Sequence, residues 1–244
     1  MRELVVTLSP DDLAREAAGR LIDVVTTAIR DSGRASIALS GGSTPKRLYQ
    51  LLTLPPYSLA IDWSKVHLFF ADERFVPHED PDSTVRLVRE TLLAGVNVPE
   101  AHFHTMPTSG DTPEACATSY EDTLRNYFGS EDTAFDLTLL GMGPDGHTAS
   151  LFPGFPFAEG LVAPVYDSPK PPPIRLTLTE QTLHHSKAIW FLVTGADKAD
   201  TLEKVFDSDP CDPSALPAAK IHDRDGKSLW LTDRDAAQRM IEPA

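Results

Sequence analysis

Apolar residues follow two patterns along this chain, and the two patterns alternate. Where they recur every three or four positions they predict amphipathic helices, and where they form short unbroken runs they predict buried strands. Ser9 and Pro10, followed by two aspartates, predict the start of a first helix, which Gly33 ends. A second helix is predicted through Leu48 and Leu52. Further helices are predicted over 83–93, 113–127, 198–206 and 233–241, and strands over 35–39, 66–71, 135–140 and 188–194.

Strands that alternate with helices predict an α/β fold, here a Rossmann-like, mostly parallel sheet with helices on both faces. Three proline-rich stretches, 76–82, 154–173 and 207–217, interrupt the alternation. Because prolines restrict the backbone, we expect these stretches to be rigid loops within a single domain, 1–244, rather than linkers between domains.

Composition and charge narrow the classes of function. The 244 residues are 41% hydrophobic and carry a formal net charge of −14, and no apolar run approaches the ~20 residues that cross a bilayer. The acidic excess disfavours nucleic acid and anionic membranes, so the expected partner is a small molecule. Two cysteines, and an N-terminus without the apolar stretch of a secretory signal, predict a reduced, cytoplasmic protein. We expect either a monomer or a homodimer, between which the sequence does not decide.

Three predicted strands end in residues suited to chemistry. The carboxyl ends of parallel strands form the usual ligand-binding edge of such a sheet. The first of these strands leads into Ser40-Gly41-Gly42-Ser43-Thr44. Backbone N–H groups at a helix start, with two hydroxyls beside them, can bind a phosphate or a carboxylate. The alternative is a tight turn capped by a serine or threonine.

Two further segments offer positive charge. Asp72-Glu73-Arg74 follows the second strand, and Arg74 presents a forked donor for a phosphate or a developing oxyanion. A salt bridge among these three residues is the alternative. Lys170 and Arg175 flank a run of three prolines, which is either a surface polyproline segment or a basic wall over an anionic substrate.

The third strand leads into a turn, Gly141 to Gly146, that spells G-x-G-x-x-G. The dinucleotide fingerprint opens a long helix, whereas Pro144 interrupts this turn, so the glycines are interpreted as room for the backbone to wrap a small substrate. Asp145 and His147 belong to the same loop. A histidine can take a proton near neutral pH and a carboxylate can orient it, although a structural histidine is the alternative. The other histidines form no ligand set, so no metal site is predicted.

These segments resemble the 6-phosphogluconolactonase family. The resemblance is carried by SGGSTPKRLYQLL (40–52), FFADERFVP (69–77) and LLGMGPDGHTASLFPG (139–154). SPKPPPIRLTLT (168–179), FLVTGADKA (191–199) and LPAAKI (216–221) follow in the expected order, so the resemblance covers nearly the whole chain. The DGHTASLFP stretch is specific, whereas related glucosamine-6-phosphate deaminases and isomerases share a loop like SGGSTP.

The resemblance implies hydrolysis of 6-phospho-D-glucono-1,5-lactone to 6-phosphogluconate, the second step of the oxidative pentose phosphate pathway, with no cofactor and no metal. It implies that His147 is the catalytic base, and we expect Asp145 to orient its ring. Arg74 and the loop carrying Ser43 and Thr44 are implied to face the substrate.

The resemblance also implies that Lys170 and Arg175 line the same cleft. The sequence departs from the family pattern at two positions, because Thr84 and His184 stand where the family usually has asparagine.

Two other functions share part of this pattern. A sugar-phosphate deaminase or isomerase would need a carboxylate base near the second carbon of its substrate, and Thr148-Ala149-Ser150 after the histidine fits the lactonase loop better. A sugar-phosphate sensor would carry a helix-turn-helix segment that binds DNA, for which this acidic chain has neither room nor charge.

Overall fold

The computed structural model describes residues 1–110, 112–129, 134–156, 158–212 and 214–241. Its strands are β1 (Arg2–Thr7), β2 (Ala35–Leu39), β3 (Val66–Phe70), β4 (Asp72–Arg74), β5 (Leu137–Leu140), β6 (Val162–Val165), β7 (Arg175–Leu178), β8 (Ile189–Val193) and β9 (Ser228–Asp233). Its helices are α1 (Pro10–Ser32), α2 (Ser43–Leu52), α3 (Tyr57–Ala60), α4 (Thr84–Val88), α5 (Pro113–Phe128), α6 (Glu180–His184), α7 (Ala199–Asp207), α8 (Pro217–Lys220) and α9 (Gln238–Ile241).

Two sheets organise the fold. The larger sheet has the order β1-β9-β8-β5-β2-β3, and every pair of neighbours in it is parallel. The smaller sheet, β4-β7-β6, is antiparallel. Helices flank the parallel sheet, so the predicted α/β class with a mostly parallel sheet is confirmed.

The first helix begins and ends at the predicted residues. The Oγ of Ser9 accepts a hydrogen bond from the Asp12 N–H at 3.2 Å, and Gly33 ends α1 in the left-handed region with φ 79°. Glycine reaches that conformation at no steric cost, which is why the helix stops there. Ser83 caps α4 in the same way, and a π-helical turn, Arg89–Leu93, continues it to the predicted end.

The helix predicted over 233–241 is wrong in its first half. Asp233 is the last residue of β9, and its Oδ1 accepts hydrogen bonds from the Ala236 N–H at 2.8 Å and the Gly195 N–H at 3.1 Å. The carboxylate thus holds a turn after the strand, and α9 begins only at Gln238.

The proline-rich stretch 154–173, predicted to be loop throughout, contains the strand β6. Pro164 lies within β6 at the edge of the small sheet, where its missing N–H costs no ladder hydrogen bond. Strands β1, β4, β7 and β9 were also not predicted. In β7 and β9, polar side chains such as Thr177 and Thr232 are fully buried, so the segments lack the apolar runs that mark buried strands.

Apolar side chains of the large sheet and its helices form one connected core. In it the Phe191 ring stacks on Trp230 with centroids 3.9 Å apart, which joins β8 to β9. Within the described ranges, no helix is long and apolar enough to cross a membrane.

Three histidines form a stacked cluster at the outer strand β3, and one of them, His67, belongs to this strand. The rings of His67 and His102 have centroids 3.7 Å apart, and His67 Nδ1 lies 3.1 Å from His104 Nε2. Burial, and then the charge of His102, lower the pKa of His67 and of His104 to about 4. The folded protein therefore keeps these side chains neutral at a pH where an unfolded chain protonates them.

This cluster predicts a specific loss of stability in acid. The unfolded histidines take up protons near pH 6.5 and the folded ones only near 4, so the free energy of unfolding falls as the pH drops through this window. In His67→Gln the fall should be smaller by on the order of 1 kcal/mol, a figure reduced for the partial exposure of the ring. Urea unfolding at several pH values between 7 and 4.5 measures it. If the free energy of unfolding changed equally with pH in the wild type and in His67→Gln, the assignment would be contradicted. A loss of packing that is the same at every pH does not affect this comparison.

Candidate active site

A cleft of about 400 Å³ lies at the carboxyl ends of β2, β3, β5 and β8. The loops after these strands and the segment before β7 form its walls. Of the residues predicted for the site, those that line the cleft are Ser40, Gly41, Gly42, Ser43, Thr44, Arg74, His147, Lys170 and Arg175. Asp145 contacts the cleft through His147. The fold thus brings four separate sequence segments to one edge of the sheet.

The turn between β2 and α2 presents uncapped backbone donors. The N-cap residue of α2 is Gly42, with φ 111°, so no serine or threonine side chain caps the helix and the capped-turn alternative is wrong. Tyr49 donates a hydrogen bond to the Ser40 carbonyl at 2.8 Å and fixes the turn. The Oγ of Ser40 is buried without a hydrogen-bond partner among the described residues. Together these groups can receive an anion.

Glu73 shapes the second loop. Its buried carboxylate accepts hydrogen bonds from the N–H groups of Arg74, Thr84 and Val85, at 2.7 to 2.8 Å, and from Ser83 Oγ at 2.9 Å. These donors include the first N–H groups of α4, which the carboxylate caps. The predicted alternative, a salt bridge among Asp72, Glu73 and Arg74, is therefore wrong.

The guanidinium group of Arg74 lies against the turn after β2. It donates to Thr84 Oγ1 at 3.0 Å, and a Cβ added to Gly41 would lie 2.7 Å from its Nη1. A side chain at position 41 would therefore force the Arg74 guanidinium group or the Thr84 hydroxyl group to shift. Thr84, one of the two departures from the family pattern, is here a direct partner of the arginine.

Arg175 is almost fully buried and braces the basic segment. Its guanidinium donates to the carbonyls of Lys170, Pro171 and Pro172 at 3.1 to 3.3 Å. Its Nη1 lies 4.0 Å from the buried carboxylate of Asp72. Burial lowers the pKa of Arg175, with Asp72 opposing the shift. Most of its donors are thus used inside the protein, and it contributes charge to the cleft wall.

Asp145 and His147 form a close pair in the loop after β5. Asp145 Oδ1 lies 2.5 Å from Nδ1 of His147. The imidazole therefore carries its proton on Nδ1, and Nε2 remains as the acceptor for a ligand in the cleft. The Phe152 ring covers the imidazole with centroids 4.8 Å apart.

The glycines of this loop make room for that pair. A Cβ added to Gly143 would lie 2.1 Å from Nδ1 of His147 and 2.5 Å from Oδ1 of Asp145. Gly146 has φ 82°, and its N–H donates to the Gly143 carbonyl at 3.0 Å. The G-x-G-x-x-G spacing thus serves a tight turn under a histidine rather than a dinucleotide.

The surroundings keep His147 neutral. Burial lowers the pKa of His147 below its usual range, and the hydrogen bond and charge of Asp145 oppose the shift only in part. Burial tends to raise the pKa of Asp145, but the contacts with His147 and Lys170 outweigh it, so this pKa is lowered. The result is a carboxylate beside a neutral imidazole at pH 7, which suits general-base chemistry.

Lys170 supplies a cation beside this pair. Its Nζ lies 3.5 Å from Asp145 Oδ1 and 3.5 Å from Nδ1 of His147. The positive charge favours the neutral form of the imidazole. Lys170, predicted as part of a basic wall, therefore lies against the candidate base itself.

Two helices hold the loop that carries His147. Thr201 on α7 donates to the Pro144 carbonyl at 2.6 Å, and Ala218 on α8 donates its N–H to the Gly146 carbonyl at 3.0 Å. A Cβ on Gly146 would meet the Leu216 side chain at 2.7 Å, which shows how closely this segment approaches. The loop conformation thus depends on the C-terminal part of the chain.

Several cleft residues were not singled out from the sequence. Thr194, Asp197 and Lys198 follow β8 and line the cleft. Thr194 Oγ1 lies 2.7 Å from Thr44 Oγ1, and Lys198 pairs with Asp197. Their position directly after a predicted parallel strand was the signal that could have identified them.

His184, the second departure from the family pattern, lies away from the residues that line the cleft. Its Nε2 lies 3.1 Å from the Lys220 carbonyl, and its ring stacks on His222 with centroids 4.1 Å apart. It therefore joins α6 to the end of α8. Among the residues that the structure describes, no three His, Cys, Asp or Glu side chains are grouped to hold a metal ion.

Comparison with known proteins identifies the family of this chain. The family model described as glucosamine-6-phosphate isomerases/6-phosphogluconolactonase matches residues 8–230. The chain belongs to this family. A 6-phosphogluconolactonase of Mycobacterium tuberculosis is 39% identical over 96% of this chain and 98% of its own length. The Synechocystis 6-phosphogluconolactonase is 40% identical over 88% of this chain and 89% of its own length.

Solved structures in the family have the same fold. The 6-phosphogluconolactonase of Trypanosoma cruzi superposes with a TM-score of 0.84 and 28% identity, covering 99% of this chain and 98% of its own. A monomeric glucosamine-6-phosphate deaminase superposes with a TM-score of 0.80 at 22% identity, covering 97% of this chain and 99% of its own. The likeness to the deaminase concerns the fold alone.

Substitution of the two charged neighbours of His147 should shift its pKa in opposite directions. Asp145→Asn removes a charge that stabilises the imidazolium, so the pKa of His147 should fall further. Lys170→Gln removes a charge that destabilises it, so the pKa should rise. NMR titration of the histidine ring signals measures both. Asp197→Asn, a change of the carboxylate that pairs with Lys198 in the same cleft, is the matched control and should leave the titration unchanged. Shifts in the same direction for the first two variants would contradict the arrangement.

Gly143→Ala should displace the His147 ring. The added methyl group occupies the position of the imidazole, so the ring must move and its contact with Asp145 must change. We expect altered ring signals and an altered pKa of His147. Gly141→Ala is the control, since a Cβ there meets nothing within 4 Å. Identical ring signals in Gly143→Ala and the wild type would show that the glycine is not needed for this geometry.

Proposed function

We propose that this protein hydrolyses 6-phospho-D-glucono-1,5-lactone to 6-phospho-D-gluconate, the second step of the oxidative pentose phosphate pathway, by general-base activation of water. The observation that carries the proposal is the Asp145–His147 pair, which leaves Nε2 as the proton acceptor, in a cleft that is also lined by cations. The names of the relatives support the substrate. The described cleft needs no metal or cofactor for this reaction, since a lactone is an activated ester.

His147 is the proposed base. Its neutral Nε2 removes a proton from a water molecule as the oxygen attacks the lactone carbonyl, and the Asp145 carboxylate stabilises the imidazolium that forms. A positioned base contributes about 10²–10⁴-fold to the rate. A cation or N–H group at the developing oxyanion adds several kcal/mol of stabilisation. A covalent nucleophile is unnecessary for so reactive an ester.

We assign the substrate phosphate to the turn after β2. The lactone carbonyl must lie within reach of Nε2 of His147, so the phosphate occupies the other anion-binding part of the cleft. There the uncapped start of α2, the Ser43 and Thr44 hydroxyls and the Arg74 guanidinium converge. The buried Ser40 Oγ gains a partner in this arrangement. Lys170, which lines the same cleft with its Nζ 3.5 Å from Nδ1 of His147, is assigned as the group that donates a proton to the leaving ring oxygen.

The remaining expectations stay predictions. They are that residues 1–244 form a single domain, that the protein is cytoplasmic and binds no nucleic acid, and that it is a monomer or a homodimer.

Lactone clearance is the direct test of the proposed function. The lactone is generated in situ from glucose 6-phosphate by its dehydrogenase, and its loss is followed with and without this protein. We expect clearance well above the spontaneous rate, and a fall of about 10²–10⁴-fold in kcat for His147→Ala. Because burial lowers the pKa of His147 below its usual value, kcat should fall on acidification at a lower pH than it would for an unperturbed histidine base.

The outcomes separate the alternatives. His78→Ala is the control, because this histidine lies outside the cleft and its Nε2 contacts the Met106 carbonyl at 2.8 Å. An unchanged rate in His147→Ala would refute the base assignment. If folded protein clears no lactone but releases ammonia from glucosamine 6-phosphate, the protein is a deaminase instead.

A further inference from the structure

We propose that the same cleft opens and recloses the pyranose ring of aldohexose 6-phosphates, and so interconverts their α and β anomers. This inference rests on the proposed function, since both reactions need His147 beside the first carbon of the sugar, C1. It goes beyond that function because the substrate is an aldose, which carries a hydrogen on C1 and is not hydrolysed.

The chemistry of the two reactions shares one step. Water attack on the lactone gives a tetrahedral C1 with two hydroxyl groups and the ring oxygen, O5. Hydrolysis is completed when a base removes one hydroxyl proton and the C1–O5 bond breaks. An aldose pyranose also has a tetrahedral C1, with one hydroxyl group, one hydrogen and O5. Removing its hydroxyl proton breaks the same C1–O5 bond, O5 takes a proton, and the open-chain aldehyde forms. The aldehyde has a hydrogen where the acid has its second hydroxyl group, so it cannot ionise to a carboxylate and is free to reclose.

The residues around C1 are those this step requires. Because Nδ1 of His147 holds its proton towards Asp145 at 2.5 Å, Nε2 is the nitrogen that can accept a proton. Lys170 Nζ lies 3.5 Å from Nδ1 of the same ring and lines the same cleft, and we assign it as the proton donor for O5. A base and an acid in the same cleft form the pair that opening a hemiacetal requires, because one proton leaves O1 while another reaches O5.

Over one cycle of ring opening and ring closing, each proton returns to the group that gave it. On opening, the O1–H proton goes to His147 Nε2, the C1–O5 bond breaks, a C=O bond forms at C1, and O5 takes a proton from the Lys170 ammonium group. On closing, O5 attacks the aldehyde, its proton returns to Lys170, and the imidazolium returns its proton to O1. No oxidant, water or cofactor is consumed. Attack on one face of the aldehyde gives the α anomer and attack on the other face gives the β anomer.

The cleft also fits the aldose. An aldose phosphate has the phosphate group that the turn after β2 is proposed to bind, and its C1 is smaller than the tetrahedral C1 of the lactone reaction. Rotation about the C1–C2 bond moves only one oxygen and one hydrogen, which a cleft of about 400 Å³ can accommodate. Anchoring through Arg74 and α2 keeps the open chain bound while its aldehyde turns.

The test is the exchange between the two anomers of [1-¹³C]glucose 6-phosphate at equilibrium, measured by NMR magnetisation transfer. We expect exchange that grows with protein concentration above the buffer rate, and at least a tenfold loss of this catalysed part in His147→Gln. Lys170→Gln should also slow it. Lys204→Gln, a change of an exposed lysine on α7 outside the cleft, is the matched control and should exchange like the wild type. Unphosphorylated [1-¹³C]glucose at the same concentration should show only the buffer rate.

Lactone clearance measured on the same preparations separates the two proposals. Protein that clears lactone normally but leaves anomer exchange at the buffer rate, although glucose 6-phosphate competes with the lactone, overturns the ring-opening proposal and leaves the hydrolysis intact. Exchange without lactone clearance overturns the hydrolysis instead. If neither reaction is accelerated, both proposals fail.

Discussion

The contact between Asp145 and His147 is the interaction on which the candidate site depends. It fixes the proton on Nδ1 and leaves Nε2 as the acceptor in the cleft. It exists only because Gly143 has no side chain where the imidazole lies, and because Gly146 adopts a left-handed conformation. Two helices from the C-terminal part of the chain then hold the carbonyls of this turn. A short loop is thereby fixed from several directions, which a catalytic geometry requires.

The negative charge of the protein is the second constraint on the candidate site. The chain carries a formal net charge of −14, so an anionic substrate is repelled by the protein as a whole. The cleft counters this with Arg74, Lys170, Arg175 and Lys198, and with the uncapped start of α2. These cations have different surroundings. Arg175 uses most of its donors on backbone carbonyls, whereas Lys170 lies beside the candidate base. The same lysine therefore favours a neutral imidazole and, in the proposed mechanism, donates a proton.

Hydrolysis and ring opening are linked through this geometry. A site that stabilises a tetrahedral C1 and cleaves its bond to the ring oxygen contains the groups that a hemiacetal requires. The difference lies in the substrate, since a second hydroxyl group on C1 allows an acid to form and a hydrogen does not. In the proposed mechanism, a phosphate anchor at one end and a base at the other thus define a substrate class broader than one lactone.

Local patterns in the sequence were sufficient for much of the fold. Ser9 and Gly33 bound α1 because capping is a local property of a few residues. The apolar runs of β2, β3, β5 and β8 were recognisable because both faces of a parallel sheet are buried. Strands β7 and β9 were missed because their buried polar side chains find partners only in the folded molecule, as Ser150 N–H and Thr177 Oγ1 do at 3.2 Å.

The sequence by itself determined which residues could carry the chemistry. Segments such as SGGSTP and DGHTASLFP contain the glycines, hydroxyls and histidine, and the strand-end rule places them at one edge of the sheet. Only the tertiary structure decided what each group does. Glu73 caps α4 instead of pairing with Arg74, Thr84 contacts the arginine, and Lys198 joins the cleft. The physical reason is that these roles are set by distances between segments far apart in the chain, and such distances exist only once the core has formed.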